Sequence, residues 1–488
     1  MLKRKLTAIF LSAAMTAATG AELTNVPSDT ALSRRIEALQ QRFGAAVPGV
    51  RIAVMDKDWF QQNAILNGVR PHQVSLNPAE KGVIQQMAAD YVRTRTQTVF
   101  APEAFAGLEH DLLTKEGASR RFSYRTSAGS QAFCVLYPHA ADQGRDQYYA
   151  ERITRNASIH GALADAPLRN PLDYELMKRF TDYHEIGHCY DRWFNEKPAA
   201  GQSAVAIAES RHKMEVFGEV FANLMLARDG YRQFSGRLAD IRLATAAFYG
   251  PITAATNSPS EVGYHMTYAY LLHEGSRNAE KEIERLGTAR LQRMSLEQVL
   301  ELSRDITLRS VLNAEDTPDA VGYMMKKRYD ISGFESMRSA SPRNERVYQT
   351  MVKLRDEMEA AVRRVYDFGR RDTPVLQRAS FDFSNVVTDD IPAAVLQART
   401  TVLATGLRQS LGGNLTNQNL VQAYQRQKDA LRQQLQTGDA ATQQQARTDL
   451  GLMQMALKRV YDSLPQNQVR PRVGVQDVTG VGALAFAA

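Results

Sequence analysis

The sequence predicts an α+β fold in which a small mixed sheet precedes a mostly helical remainder. Short runs rich in β-branched and aromatic residues at 50–55, 121–126 and 131–137 are typical of strands. The run at 132–137 is almost continuously apolar, which indicates a strand covered on both faces. From residue 146 onward, apolar residues recur at three- and four-residue spacing, which predicts helices.

The predicted helices follow in order along the chain. Their apolar periodicity places them at 76–95, 172–194, 214–225, 346–366, 417–435 and 440–464. Pro171 suits the first turn of the second helix, Pro198 a stop after it, and Gly250-Pro251 a helix break. The last two helices are rich in Gln and Arg on one side and apolar on the other, so they are expected to form an antiparallel hairpin.

The pentapeptide His184-Glu185-Ile186-Gly187-His188 is the most informative motif. Residues four apart on a helix lie one above the other, so both imidazoles can face one metal ion. Glu185 lies about 100° round the helix, where it can take a proton from zinc-bound water. Gly187 lowers helix propensity and is tolerated most easily where another element packs close. Two structural histidines on a helix are the alternative interpretation.

A second pair of candidate residues lies on the helix predicted at 214–225. Glu215 and Glu219 are four residues apart at the margin of its apolar stripe. Like charges so spaced repel by roughly 0.2–0.5 kcal/mol. A metal bound by one carboxylate, and a histidine hydrogen-bonded by the other, would reverse that cost. A solvated acidic edge is the alternative.

The sequence HEIGHCYD at 184–191, followed by EVFGEVFANLM at 215–225, resembles the gluzincin metallopeptidases. In motif it is most similar to the catalytic domain of anthrax lethal factor and its relatives. The resemblance implies a zincin-like domain, with a small mixed sheet and an active-site helix, that binds one Zn2+ per chain. It also implies that the strand at 132–137 forms the rim of a cleft, where a substrate peptide adds as a further strand.

The resemblance implies a role for each matching residue of this sequence. It implies that His184, His188 and Glu215 are the zinc ligands and that Glu185 is the general base. It also implies that the carboxylates of Glu219 and Asp191 support the ligands without binding the metal themselves.

The oxyanion-stabilising group is where the sequence departs from the family. The relatives have a tyrosine a few residues before the third ligand, and the segment 204–212 has none. His212 is in this region, but a surface or helix-start histidine is the plainer interpretation. Tyr264 and His265, after a turn at 257–260, are therefore the candidate catalytic residues for this role. A packed aromatic pair is the alternative.

The N-terminus has the parts of a signal peptide. A basic start at Lys3-Arg4-Lys5 is followed by an apolar stretch at 6–15 and by small residues up to Ala21. The stretch is too short to span a bilayer, and no other run approaches about 20 apolar residues. We expect an exported protein, periplasmic or secreted, without a stable membrane span.

The charge excludes one class of partner. The formal net charge is +7, and part of it leaves with the signal peptide. No zinc-finger or aromatic-basic motif is present, so we expect no nucleic-acid partner. A protein or peptide substrate is expected instead.

The chain has 2 cysteines, Cys134 and Cys189, which excludes a disulfide scaffold. In an oxidising compartment the two can pair. Two small buried hydrophobic residues are the alternative.

The chain is accordingly expected to divide into five parts. These are a signal peptide at 1–21, an N-terminal region at 22–95, a zincin-like catalytic domain at 96–330, a helical C-terminal domain at 331–465 and a flexible tail at 466–488.

The predicted function is an exported zinc-dependent metalloendopeptidase that hydrolyses peptide bonds with a zinc-activated water and Glu185 as general base. A metal-dependent cell-wall hydrolase is one alternative. A non-catalytic binding protein with a zincin fold is another. The intact Glu185 speaks against the binding protein, since a scaffold needs no base, whereas the missing tyrosine speaks for it.

Overall fold

The structure is a computed structural model. It describes residues 30–71, 76–126, 129–139, 173–195, 202–256, 267–327, 329–365, 393–411, 417–439 and most of 441–460. The described part is mixed α/β and mostly helical, with one three-stranded sheet, which confirms the predicted fold class at this level. The signal peptide expected at 1–21 and the tail expected at 466–488 lie outside the described residues.

The elements are numbered in chain order. The strands are β1 (Val50–Val54), β2 (Ala118–Thr126) and β3 (Gly129–Tyr137). The helices are α1 (Ala31–Phe43), α2 (Lys57–Leu66), α3 (Pro78–Thr96), α4 (Glu109–Thr114), α5 (Tyr174–Tyr190), α6 (Ala204–Arg228), α7 (Phe234–Thr256), α8 (His273–Leu286), α9 (Thr288–Arg293), α10 (Leu296–Ser310), α11 (Thr317–Lys326), α12 (Ser332–Glu335), α13 (Pro342–Val365), α14 (Ala393–Gln409) and α15 (Asn417–Thr437). Short 3-10 turns lie at Pro102–Phe105 and Arg338–Ala340.

The sheet has the order β1-β3-β2. β1 runs parallel to β3, with Val50 opposite Ala132, and the intervening helices make the long connection that parallel pairing requires. β2 runs antiparallel to β3, from Ala118 opposite Tyr137 to Thr126 opposite Gly129. β3 is therefore the central strand, in keeping with its apolar run.

The sheet order corrects the expectation about the cleft rim. Because β3 is hydrogen-bonded on both sides, the segment 132–137 has no edge to offer an extended peptide. β2 is an edge strand, and no described strand pairs with its outer side. β1 is the other edge strand, but its outer side is already hydrogen-bonded to Gly44 and to the Gln40 side chain.

Helix α5 is shorter than predicted at both ends. It begins at Tyr174 because the Asp173 carboxylate accepts the backbone N–H of Leu176 at 3.0 Å, so an N-cap rather than Pro171 sets the start. It ends at Tyr190, and the Asp191 carboxylate that follows accepts hydrogen bonds from the backbone N–H groups of Trp193 and Phe194. The predicted end at residue 194 is wrong.

The break predicted at Gly250-Pro251 is also wrong, since α7 continues through it. A proline has no N–H, so it leaves the carbonyl four residues earlier without its helical donor. That carbonyl belongs to Ala247, and the Tyr329 hydroxyl donates a hydrogen bond to it. A tertiary contact thus supplies the bond that the proline removes.

Two hydrophobic clusters can be compared with the predicted domain boundaries. The largest extends from Leu32 to Val365, so the boundaries predicted at 95 and 330 fall inside a shared core. A separate cluster joins α14, α15 and the helical residues of 441–460, from Leu403 to Val460. The apolar stripe of the C-terminal helices packs there, as expected for helices that share one core. The division into domains stays a prediction.

Within the described ranges, no helix combines the length and the apolar character that crossing a membrane requires.

Cys134 on β3 and Cys189 on α5 form a disulfide that links two residues 55 positions apart in the sequence. Replacing both cysteines with alanine should lower the free energy of unfolding by about 2–4 kcal/mol, because the cross-link restricts the unfolded chain. Denaturant unfolding of the double variant measures the loss. The control is wild type under reducing conditions, which should match the variant. Two titratable thiols in the oxidised, denatured wild type would contradict the cross-link.

Candidate metal centre

Helices α5 and α6 pack closely against each other at a pair of glycines. A Cβ added at Gly187 would lie 3.2 Å from the Cα of Gly218, and one added at Gly218 would lie 3.0 Å from His188 Cε1. Glycine at both positions lets the helices approach and leaves room for the imidazole rings against α6. The expectation of close packing at Gly187 is confirmed.

The crossing brings three side-chain atoms together. The Nε2 atoms of His184 and His188 lie 3.0 Å apart. Glu215 Oε2 lies 3.1 Å from Nε2 of His184 and 3.7 Å from Nε2 of His188. Tetrahedral ligands about 2.0–2.1 Å from a zinc ion are separated by about 3.3–3.4 Å. The three distances bracket this separation.

The charges of these groups are coupled. Burial lowers the pKa of His184. Burial also lowers the pKa of His188, but the interaction with the nearby Glu215 carboxylate outweighs this effect and raises the pKa to about 9. Burial would raise the pKa of Glu215, yet the hydrogen bond with His184 and the nearby His188 ring hold it below its ordinary value. An ionised carboxylate therefore faces two imidazole nitrogens.

The arrangement fits a metal ion. Glu215 Oε1 is buried and has no hydrogen-bond partner among the described residues, so the carboxylate keeps acceptor capacity beyond the two rings. Two imidazoles and a carboxylate are the donor set of catalytic zinc sites with one open position. His184, His188 and Glu215 are the residues that could hold the ion.

Glu185 lies beside these atoms. One of its carboxylate oxygens lies within 4.8 Å of ligand atoms on both histidines. Ser119 on β2 donates its hydroxyl to Glu185 Oε2 at 2.8 Å, which orients the carboxylate. Burial raises the pKa of Glu185 to about 8. Ser119 was not singled out from the sequence, because only the pairing of β2 with β3 brings it to the helix.

Glu219 is held by a buried network. Arg242 on α7 donates to both of its oxygens, from Nη2 to Oε2 at 2.7 Å and from Nε to Oε1 at 3.2 Å. Ser276 on α8 donates its hydroxyl to Oε1 at 2.8 Å. Glu219 Oε2 also lies 3.8 Å from Nδ1 of His184, behind the ring. The 3.8 Å separation is longer than a hydrogen bond, so the expected role of Glu219 in supporting the ligands stays a prediction.

Burial corrects two expectations about α6. Glu215 and Glu219 are 3% and 0% exposed, so they do not lie at the margin of an apolar stripe. His212 is fully buried inside α6, which begins at Ala204, so it is neither a surface nor a helix-start histidine.

Asp191 is buried at the end of α5, where its Oδ1 accepts the N–H groups of Trp193 and Phe194, both at 2.9 Å. Its charge contributes to the raised pKa of His188 after that of Glu215. The carboxylate thus fixes the chain that leaves the histidine helix. Its expected role in supporting the ligands stays a prediction.

The candidate residues Tyr264 and His265 lie outside the described residues. Among the described residues that follow these positions, Tyr270 is buried, with 7% of its surface exposed. Burial raises the pKa of its hydroxyl, and the charges of Glu215 and Glu185 raise it further, against the effect of Arg211.

A second cluster of ligand-type side chains contains His273, Glu274 and Glu357. Arg277 Nη1 lies 3.0 Å from Glu357 and 3.5 Å from Glu274. Lys353 Nζ lies 3.6 Å from Glu274 and 3.8 Å from Glu357. Two cations already balance the two carboxylates, so this cluster is an ion-pair network that joins α8 to α13.

Comparisons of the chain with models of protein families, with curated proteins and with solved structures found no match. Interpretation of the centre therefore rests on its geometry and on the motifs at 184–191 and 215–225.

Proposed function

We propose that the chain is an exported zinc metallopeptidase of the gluzincin type, with a zincin-like domain at 96–330. The observation that carries the proposal is the convergence of two imidazole nitrogens and one carboxylate oxygen at 3.0–3.7 Å beside a buried glutamate. Zinc is the metal that suits this donor set, and when bound it polarises a substrate carbonyl and activates water. Export is supported by the composition of residues 1–21.

Glu185 is the general base in this proposal. It takes the proton of the attacking water and passes it to the leaving amine. The Ser119 hydroxyl holds one carboxylate oxygen at 2.8 Å, which leaves the other oxygen to receive the proton.

Tyr270 stabilises the oxyanion in place of the tyrosine that is missing upstream of Glu215. Its raised pKa keeps the phenol protonated, so that it can donate a hydrogen bond to developing negative charge. The charges of Glu215 and Glu185 reach this hydroxyl, which supports its assignment to the same site.

The edge of β2 is the proposed binding site for the peptide backbone. Ser119 on this strand contacts the base, so a peptide paired with β2 would run past Glu185. Phe122, further along β2, is partly exposed and available for contact with a substrate side chain.

The test is digestion of an unbiased peptide library by the mature protein and by Glu185→Gln. We expect about one zinc per molecule in both proteins, and cleavage that is at least about 100-fold slower in the variant. Glutamine keeps the volume and an acceptor for Ser119, and retained zinc is the control for folding.

Equal cleavage by the two proteins would refute the proposal. Zinc binding without cleavage by wild type would favour the non-catalytic binding protein, and cleavage of cell-wall material alone would favour the other hydrolase.

A further inference from the structure

Arg121 is a cation on β2 that lies on the same face of the sheet as Ser119. Residues two apart on a strand point to one side, roughly 7 Å from each other. Ser119 donates its hydroxyl to Glu185 Oε2 at 2.8 Å. Arg121 Nη1 donates to the backbone carbonyl of Asp191, the residue that follows α5. These two contacts hold this part of β2 alongside α5, from the general base to the end of the helix.

The pairing of the strands supports this orientation. Arg121 lies directly opposite Cys134 on β3, and residues that are opposite each other have side chains on one face of the sheet. Cys134 is joined to Cys189 on α5 by the disulfide. The face of β2 that contains Arg121 is therefore the face that α5 covers.

The guanidinium of Arg121 has more donors than the described residues use. It has five N–H groups, and its hydrogen-bond acceptor among the described residues is the carbonyl oxygen of Asp191. The Asp191 carboxylate is the acidic group whose charge acts on it. That carboxylate already accepts the N–H groups of Trp193 and Phe194.

The neighbouring Arg120 is paired differently. Its side chain lies on the other face of the sheet, where Nη2 is 2.7 Å from Asp111 Oδ2. One arginine of the strand thus has a carboxylate partner, whereas no carboxylate in the described part of the chain forms an ion pair with Arg121.

We propose that Arg121 makes the protein select peptides with an acidic side chain, aspartate or glutamate, at the position that pairs with Arg121 on the edge of β2. The inference rests on the peptide site of the proposed function. A peptide residue opposite Arg121 would point its side chain toward α5 and the guanidinium. It would be two residues from the peptide residue opposite Ser119, which lies beside Glu185. A carboxylate there would form charge-assisted hydrogen bonds with the remaining donors of Arg121.

Burial favours an anionic partner over a neutral or cationic one. It lowers the pKa of Arg121 and outweighs the charge of Asp191, which raises the pKa. The cation has therefore lost hydration that the described residues do not replace. A substrate carboxylate replaces it, an amide does so without charge, and an ammonium group adds like charge, which is unfavourable.

The experiment is a peptide series built on the sequence that wild type cleaves fastest in the library. Both ends are blocked, so that no terminal carboxylate takes part. Each position on either side of the cleaved bond is set in turn to glutamate, glutamine or lysine, and kcat/KM is measured. We expect one position at which glutamate exceeds glutamine by about 10-fold, as is typical of hydrogen bonds to charged groups, and at which lysine falls below glutamine.

Three variants test the assignment. Arg121→Gln should reduce the ratio of glutamate to glutamine to about 1, and Arg121→Glu should make lysine the preferred residue. Arg120→Gln removes the same charge from the opposite face of β2 and should keep the wild-type ratio. Each ratio compares two peptides cleaved by the same protein, so a general loss of activity or of folded protein cancels.

Binding gives a second readout. In zinc-loaded Glu185→Gln, the Kd values of the uncleaved peptides should show the same preference for glutamate, because the ion pair forms when the peptide binds. Equal Kd values for the glutamate and glutamine peptides would contradict the inference.

An unchanged ratio in Arg121→Gln would mean that Arg121 only holds the end of α5, and equal losses in Arg121→Gln and Arg120→Gln would assign the preference to overall charge. Either result would overturn the inference, as would a wild type that favours glutamate at no position. The proposed function is tested separately by Glu185→Gln. If wild type has no Glu185-dependent cleavage, both proposals fall, whereas Glu185-dependent cleavage without a charge preference removes only this inference.

Discussion

Glu215→Gln should weaken zinc binding by more than about 100-fold, whereas Glu219→Gln should weaken it by about 10- to 100-fold. Glu215 supplies the anionic oxygen that lies 3.1 Å and 3.7 Å from the two imidazole nitrogens. Glu219 lies 3.8 Å from the far nitrogen of His184 and acts only through that ring. Glutamine is used at both positions because it keeps the side-chain volume.

Zinc affinity is measured by competition with a chelating indicator. Thermal unfolding gives a second readout, because zinc that binds only the folded state raises Tm. We expect added zinc to raise the Tm of wild type and Glu219→Gln and to leave that of Glu215→Gln nearly unchanged. Tighter zinc binding by Glu215→Gln than by Glu219→Gln would assign the third ligand to residue 219.

The local part of this site could be predicted from the sequence. The four-residue spacing of His184 and His188 places both rings on one helical face whatever else the chain does. The four-residue spacing of Glu215 and Glu219 places these two carboxylates on one helical face in the same way, because backbone hydrogen bonds fix helix geometry over a single turn.

The partners that complete the site could not be predicted, because they come from other elements. Arg242 approaches Glu219 only because α7 packs beside α6, and Ser276 only because α8 does. Ser119 is an ordinary residue in its own segment, and only the position of β2 brings its hydroxyl to Glu185. The spacing of residues along the sequence does not show how separate helices and strands pack against one another.

The sheet shows the same limit. The strands were readable from residue type, but their order was not, since β1 pairs with β3 across the whole of α2 to β2. The Gly250-Pro251 prediction failed for a similar reason. The Tyr329 hydroxyl compensates for the missing N–H, and it lies 82 residues from Ala247 in sequence.

Arg242→Met should lower the free energy of unfolding by about 3–5 kcal/mol, the typical cost of leaving one member of a buried ion pair without its partner. The guanidinium contacts both oxygens of Glu219, and the two side chains are 6% and 0% exposed. Methionine keeps most of the aliphatic volume, so the loss measures the unpaired carboxylate rather than a cavity. Thermal and denaturant unfolding of the zinc-free protein give the value.

The matched control is the double variant Arg242→Met/Glu219→Gln. A neutral amide at 219 no longer needs a cation, so we expect the second substitution to recover most of the stability that the first removes. A double variant as unstable as Arg242→Met would mean that Arg242 acts through packing alone. Recovered stability with zinc affinity still at the level of Glu219→Gln would separate the two roles of this carboxylate. Its pairing with Arg242 would then serve the fold, and its charge behind His184 would serve the metal.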